Sequence, residues 1–134
     1  MREPFYTRLV LLDRERDRRS SPKTVQEPGG PGEHALVCVV CGHRITDEDY
    51  RMEMSGAHQH TFVNPAGFAY VIGCFTAAPG CIHLGSTESA FSWFPGWTWQ
   101  LAACARCRAH LGWVYRNAGE QFHGLIADRL RPSE

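Results

Sequence analysis

Residues 92–107 read SWFPGWTWQLAACARC, three tryptophans around a Pro95–Gly96 step followed at once by the pair Cys104-x-x-Cys107. The cysteine pair decides the fold. Two residues between thiols let a tight turn aim both sulfurs at one ion, and a second such pair, Cys38-Val39-Val40-Cys41, stands far upstream and runs into Gly42. Together Cys38, Cys41, Cys104 and Cys107 supply the four soft thiolates that tetrahedral zinc prefers, at about 2.3 Å each. Sixty-two residues separate Cys41 from Cys104, more than a simple zinc ribbon holds. One zinc ion is therefore expected to close a long loop and tie an early strand to a late hairpin. Four thiolates fill the coordination sphere and leave no position for water, so the expected role is structural. The competing reading of a Cys-x-x-Cys, a redox pair, would sit at a helix N-terminus in a βαβ context, and no such pattern surrounds either pair.

Working outward, ALVCVVC, YRMEMSG, HTFVNPAGFAYVIGCF, WTWQLAAC and HLGWVYR are short, aromatic or β-branched runs punctuated by Gly, Pro and Asn. That texture predicts strands in a mainly antiparallel β domain. No segment after His34 sustains a 3.6-residue apolar period over three turns. FHGLIADRL reads as a short helix or a final strand. Residues 1–33 differ in kind: they hold seven of the 14 Lys and Arg, six of the 14 Asp and Glu, no cysteine or tryptophan, and end in PGGPG. They read as a charged, flexible arm and linker, followed by one domain over residues 34–132.

Composition narrows the partners. The formal net charge is zero, which argues against nucleic acid, since phosphate binding needs a basic face. No apolar run approaches the ~20 residues needed to span a bilayer. The LVLL patch near the N-terminus is flanked by Arg8 and DRERDRR and lacks a signal-peptide cleavage site. The expectation is a cytoplasmic chain, whose six cysteines point to metal before disulfides.

The tryptophans carry the second signal. Pro95–Gly96 predicts a turn that folds Trp93 back toward Trp99. Trp113 and Tyr115 stand two apart, so on a strand they share a face. Three indoles and a phenol can then converge beside the cysteines, either filling a core or walling an open cage. Several indoles are more than a domain of ~100 residues needs for packing alone, because each buried N–H wants a partner. The SWFPG segment also reads as an exposed turn. An open cage would take a small, flat or compact ligand, a cation among them.

CVVC, FVNPAGFAY, STESAFSWFPGWTWQLAACARC and HLGWVYR, in this order and spacing, resemble the thalidomide-binding (CULT) domain of the cereblon family over about residues 34–132. The chain looks like a single-domain bacterial member. The resemblance implies a β-tent, two antiparallel sheets meeting at roughly a right angle and pinned by a structural zinc. It implies cage walls at Trp93, Trp99 and Trp113 with Tyr115 as the fourth aromatic, and a ligand edge along the backbone of Phe91, Ser92 and Trp93. Asn64, beside Pro65, is implied as a rim residue reaching the ligand's outer carbonyl. Phe91 replaces a histidine of the human member, Trp97 a tyrosine and Ala66 a rim histidine. Family members take glutarimide rings of thalidomide type, uridine-like pyrimidine nucleosides and cyclic-imide ends of damaged proteins. The human member is a ubiquitin ligase receptor through further domains that find no counterpart here, so only the pocket is expected to transfer.

The competing function is enzymatic. Methionine sulfoxide reductases of the B type share a β-tent and four-cysteine zinc and use a separate cysteine as nucleophile. Cys74 or Cys81, flanking FTAAPG in an expected hairpin, would have to serve. Neither stands in that family's nucleophile motif. Inert packing is the commoner fate of a free cysteine, and the expectation is a binding domain with no catalytic residue. His58 and His60, with no carboxylate or cysteine at ligand spacing, read as surface histidines.

Overall fold

The computed structural model describes residues 34–133; the charged arm read over residues 1–33 lies outside the described residues. Ala35–Cys38 (β1) is buried at every position because it is the middle strand of a three-stranded sheet. Arg44–Asp47 (β2) flanks it on one edge and Leu130–Pro132 (β9) on the other, both antiparallel. The other six strands form a second antiparallel sheet: Gln59–Val63 (β3), Ala69–Phe75 (β4), Cys81–Glu88 (β5), Thr98–Cys104 (β6), His110–Asn117 (β7) and Glu120–Ile126 (β8). Their order across the sheet is β3-β4-β8-β7-β6-β5. The described residues contain no α-helix, only 3₁₀ turns at Glu48–Tyr50 and Ala127–Arg129. The mainly β, two-sheet expectation holds.

Register divides the large sheet into two chemically distinct faces. Trp99 lies opposite Tyr115 and Leu101 opposite Trp113, while Tyr115 lies opposite Phe122 and Trp113 opposite Gly124, so one face is aromatic. The alternate residues Gln100, Val114, Arg116, Gln121 and His123 occupy the other face. Leu36, Cys38, Ile45, Phe75, Ala78, Cys104, Leu111 and Leu125 form a core beside the paired cysteines. Tyr70, Ile72, Cys74, Phe94, Trp113, Tyr115, Phe122 and Ile126 form a second core under the aromatic face. Gly124 leaves room for this packing: a Cβ would stand 3.0 Å from both the Tyr115 ring and Ile72 Cδ1, so one of them would have to shift by a few tenths of an ångström.

Three sequence expectations need correction. The FTAAPG segment between Cys74 and Cys81 is not a hairpin, because β4 and β5 are separated by β8, β7 and β6. It crosses to the small sheet instead, with Gly80 N donating to Ile45 O at 2.9 Å and Thr46 Oγ1 to Ala77 O at 2.6 Å. YRMEMSG, read as a strand, makes only isolated bridges at Arg51 and Met54. FHGLIADRL is divided among β8, a 3₁₀ turn and β9.

Histidines sit inside this framework. His58 Nδ1 meets Met52 O at 3.1 Å and His110 Nε2 meets Gly112 O at 2.9 Å. Burial, aided by Arg51, pulls His58 down to about 4, which corrects its reading as a surface residue. Burial likewise pulls His110 and His123 down to about 4, with Arg129 adding to the first and His83 and Arg116 to the second. An unfolded chain protonates its histidines near 6.5, so between about 6.5 and 4 the unfolded state holds more protons and stability falls as the pH is lowered through that window. The expected loss is on the order of 2 kcal/mol per buried histidine by pH 5. Urea midpoints in zinc-replete buffer at pH 7.5 and 5 measure it, and equal midpoints would show imidazoles already charged in the fold.

Candidate metal centre and aromatic site

The two cysteine pairs fold into the same turn. In the first, Cys38 N bonds to His43 O at 2.8 Å and Gly42 N to Cys38 O at 2.8 Å; in the second, Cys104 N bonds to Ala109 O at 2.9 Å and Arg108 N to Cys104 O at 2.9 Å. Both turns close through a left-handed residue, Gly42 at φ +80 and Arg108 at φ +69. Glycine takes that conformation freely, whereas Arg108 holds it under strain. The first cysteine of each pair ends a strand, β1 or β6, and the second stands in the turn that follows.

The four sulfurs converge, all within 4.8 Å of one another. Cys38 Sγ lies 3.7 Å from Cys107 Sγ and Cys41 Sγ 3.6 Å from Cys104 Sγ. A tetrahedron with sulfurs about 2.3 Å from its centre has edges of about 3.8 Å, so these four residues could hold a metal ion and their spacing fits zinc. The N–H groups of Arg106 and Cys107 point at Cys104 Sγ, at 3.4 and 3.5 Å. Burial opposes ionisation of Cys104, but these donors and the neighbouring thiols outweigh it and bring the group down to about 7. Burial pushes Cys38 up to about 12. A divalent cation would take the place of the protons these thiols share.

The remaining cysteines lie elsewhere in chemistry. Cys74 is fully buried and its thiol is pushed up to about 12 by burial alone. Cys81, opposite Cys104 across β5 and β6, is also pushed up to about 12, by burial and then by Cys104 and Cys38. Attack by sulfur needs a thiolate, and neither environment favours one.

The aromatic face lies further along β6 from Cys104. Phe94, Pro95, Gly96 and Trp97 form a tight turn closed by Trp97 N to Phe94 O at 2.9 Å, with Gly96 at φ +91 as a type II turn requires. Trp93 meets Trp113 edge to face, with centroids 5.0 Å apart at 77°. Two residues that the sequence reading passed over set this geometry. Phe62 on β3 stacks flat on Trp93 at 5.0 Å and 12°, and Tyr70 on β4 touches both indoles, at 5.8 Å from Trp93 and 5.4 Å from Trp113. Only the alternation of aromatics along FVNPAGFAY could have signalled them. Trp99 donates its indole N–H to Ala90 O at 2.8 Å, bracing the segment that carries Phe91 and Ser92. Phe91 stands at φ +61 and is 67% exposed.

Other expected residues are placed more deeply. Tyr115 is buried, packed edge-on to Phe94 at 4.9 Å and stacked with Phe122 at 5.1 Å, and lies opposite Trp99 across β6 and β7. Trp97 packs on Phe122 at 5.0 Å. Asn64 is buried, and its Oδ1 accepts from Ala66 N at 3.0 Å and Phe68 N at 2.9 Å, which folds the turn containing Pro65.

A two-sheet β domain with a four-cysteine centre and a tryptophan-rich face is therefore the class that the fold and site define. No family model matches the chain. Curated relatives do: cereblon of Gallus gallus is 33% identical over 108 residues, covering 73% of this chain and 24% of the relative. Cereblon of Drosophila pseudoobscura pseudoobscura is 30% identical over 110 residues, 74% of this chain and 17% of the relative. Cereblon of Danio rerio is 30% identical over 77 residues, 54% and 18%. The chain carries a cereblon-like CULT domain, and it spans only about a fifth of the length of these relatives.

The metal centre makes a direct test. Purified protein is expected to hold one zinc per chain by elemental analysis, and Cys41→Ser to lose both the metal and the cooperative unfolding transition, because metal affinity in such sites is folding free energy. A folded, metal-free Cys41→Ser protein would overturn the staple.

Proposed function

We propose that this chain is a zinc-stapled module that binds small cyclic imides, with Trp93, Trp99 and Trp113 as the walls of its site. The observation that supports this most is the perpendicular Trp93–Trp113 pair, held from behind by Phe62 and Tyr70, beside a backbone segment kept in a left-handed bend at Phe91. A cyclic imide presents C=O, N–H and C=O along one edge. The backbone of Phe91, Ser92 and Trp93 can answer with N–H and C=O groups, while indole faces cover the ring methylenes. Ser92 Oγ, bonded to the N–H and C=O of Phe94 at 3.3 and 3.1 Å, keeps that bend in shape. Because Asn64 Oδ1 is committed to its own turn, its Nδ2 is the group to donate to a ligand carbonyl beside Pro65. Tyr115 then acts as floor. The exposed Phe91 ring suits a contribution through main chain rather than side chain.

Glutarimides, uridine-like nucleosides and peptides ending in a cyclised Gln or Asn imide share that edge, and the site accommodates the class through it. Zinc bound by Cys38, Cys41, Cys104 and Cys107 would supply rigidity and no chemistry, and binding rather than catalysis is the function.

Titration with thalidomide, followed by tryptophan fluorescence, tests this reading. Saturation at micromolar ligand is expected, with uridine weaker or comparable. Trp99→Ala should weaken binding at least about 30-fold, equivalent to about 2 kcal/mol, while zinc content stays at one per chain. A flat titration of zinc-loaded protein sinks the proposal, and loss of zinc in Trp99→Ala would make that indole a core residue.

A further inference from the structure

The polar face of the large sheet, behind the indoles, carries a hydrogen-bonded chain that none of the readings above uses. His83 on β5 and His123 on β8 meet through their Nε2 atoms at 2.9 Å, although β6 and β7 lie between their strands. Arg116 on β7 makes three contacts: Nη2 to His83 Nδ1 at 3.3 Å, Nη1 to Gln100 Oε1 at 2.9 Å, and Nε to Gln121 Oε1 at 3.1 Å. Gln100 in turn donates from Nε2 to Gly85 O at 2.8 Å.

Proton bookkeeping orders this chain. A guanidinium only donates, so His83 Nδ1 must accept and the His83 proton sits on Nε2. That proton is donated to His123 Nε2, which leaves the His123 proton on Nδ1. His123 Nδ1 is buried with no partner among the described residues, a cost of about 1–3 kcal/mol that a pure packing role would not call for. Among the described residues Arg116 has no carboxylate partner; its contacts are neutral acceptors.

The chain ends at a structurally significant place. Gly85 stands at φ +79 and opens a break in the β5–β6 register between Leu84 and Glu88. Beyond that break, Glu88 pairs with Trp99, and Ala90 receives the Trp99 indole N–H. The bulge is thus the hinge from which the segment bearing Phe91, Ser92 and Trp93 departs. Gln100, which pins its carbonyl, is the neighbour of Trp99 on the opposite face.

We propose that Arg116, His83 and Gln100 are positioning residues that set the Phe91–Trp93 segment, and with it the ligand edge of the cage, from the far side of the sheet. The inference rests on the cage being the binding site. It makes affinity sensitive to the protonation of His83. A protonated imidazole cannot accept from Arg116, so acid breaks the chain at its centre. The charged or titratable groups bonded to His83 are Arg116 from β7 and His123 from β8, and the neutral Gln100 of β6 bonds to Arg116. Burial and then Arg116 hold His83 below its usual value, so the response falls below pH 6.5.

The test uses full-length, zinc-loaded protein with two independent readouts: thalidomide affinity by fluorescence, and solvent exchange of the Trp99 indole N–H by NMR, which needs no ligand. Arg116→Met is expected to speed indole exchange at least about 10-fold and to weaken thalidomide by a similar factor, with zinc retained. His83→Asn, which offers Arg116 a neutral amide oxygen and cannot be protonated, is expected to remove the fall in affinity, relative to its own value at pH 7.5, that wild type shows below pH 6.5. Unchanged indole exchange in Arg116→Met overturns the proposal, as does a His83→Asn protein whose affinity falls with acid like the wild type. If wild type binds no thalidomide, the cage reading fails by itself, and indole exchange in Arg116→Met still decides the positioning role. If Arg116→Met does not fold, Gln100→Met, which frees the Gly85 carbonyl and removes the acceptor of Arg116 Nη1, must reproduce the faster indole exchange for the proposal to stand.

Discussion

The convergence of two identical turns on four sulfurs is the constraint on which the rest of the molecule depends. One turn leaves β1 of the small sheet and the other leaves β6 of the large sheet, so bringing Cys38 within 3.7 Å of Cys107 fixes the two sheets against each other. That clamp is continuous with the core beside it, in which Cys38 and Cys104 pack with Leu36, Ile45, Phe75, Leu111 and Leu125. The strained left-handed Arg108 fits this account, since a binding ion can hold a backbone conformation that costs about 1–2 kcal/mol elsewhere.

With the sheets held, the β6–β7 ladder runs from the metal centre directly into the aromatic face. Cys104 and Trp99 lie on one strand, and Trp113 lies opposite Leu101 on the next. Strands transmit position well because each backbone group is paired to its neighbours. The indoles therefore inherit the rigidity of the knuckle, and Phe62 and Tyr70 remove the freedom that remains to Trp93. The same pairing couples the two faces. Gln100 and Trp99 are consecutive, so a restraint on one side of the sheet is felt one residue away on the other.

The cysteine spacing, the Pro–Gly turn and the aromatic face were legible because each is local: thiols two residues apart, a turn residue with its required φ, and side chains in period two. What stayed hidden was non-local. Nothing in CFTAAPGC announces that β4 and β5 are distant, since a Pro–Gly turn serves a hairpin and a crossover equally; the decision lies in Gly80 N reaching Ile45 O. Edge strand β5, CIHLGSTE, was missed because glycine and short polar residues at 85–88 obscure its alternation. Tyr115 was placed correctly on the face of Trp113, but its depth depends on Phe94 and Phe122 closing over it. His83, Arg116 and His123 are scattered across 41 residues of sequence and gain a chemistry only when β5, β7 and β8 align.

The two indoles proposed as cage walls, Trp113 and Trp99, differ in stiffness. Trp113 is buried, wedged edge-on between Tyr70 and His110 at 5.4 and 5.0 Å, and cannot move without disturbing the core. Trp99 is less buried, and its indole N–H is tied to Ala90, a residue of the very segment that would present the ligand's hydrogen-bonding edge. Any displacement of that segment therefore moves Trp99 with it. On the proposed reading, a site with one fixed wall and one wall slaved to the hydrogen-bonding edge would close as a unit around a ring that satisfies both, and would gain little from a ligand that offers only apolar surface. Selectivity for a flat ring with a polar edge would then follow from how the walls are joined, in addition to what they are made of.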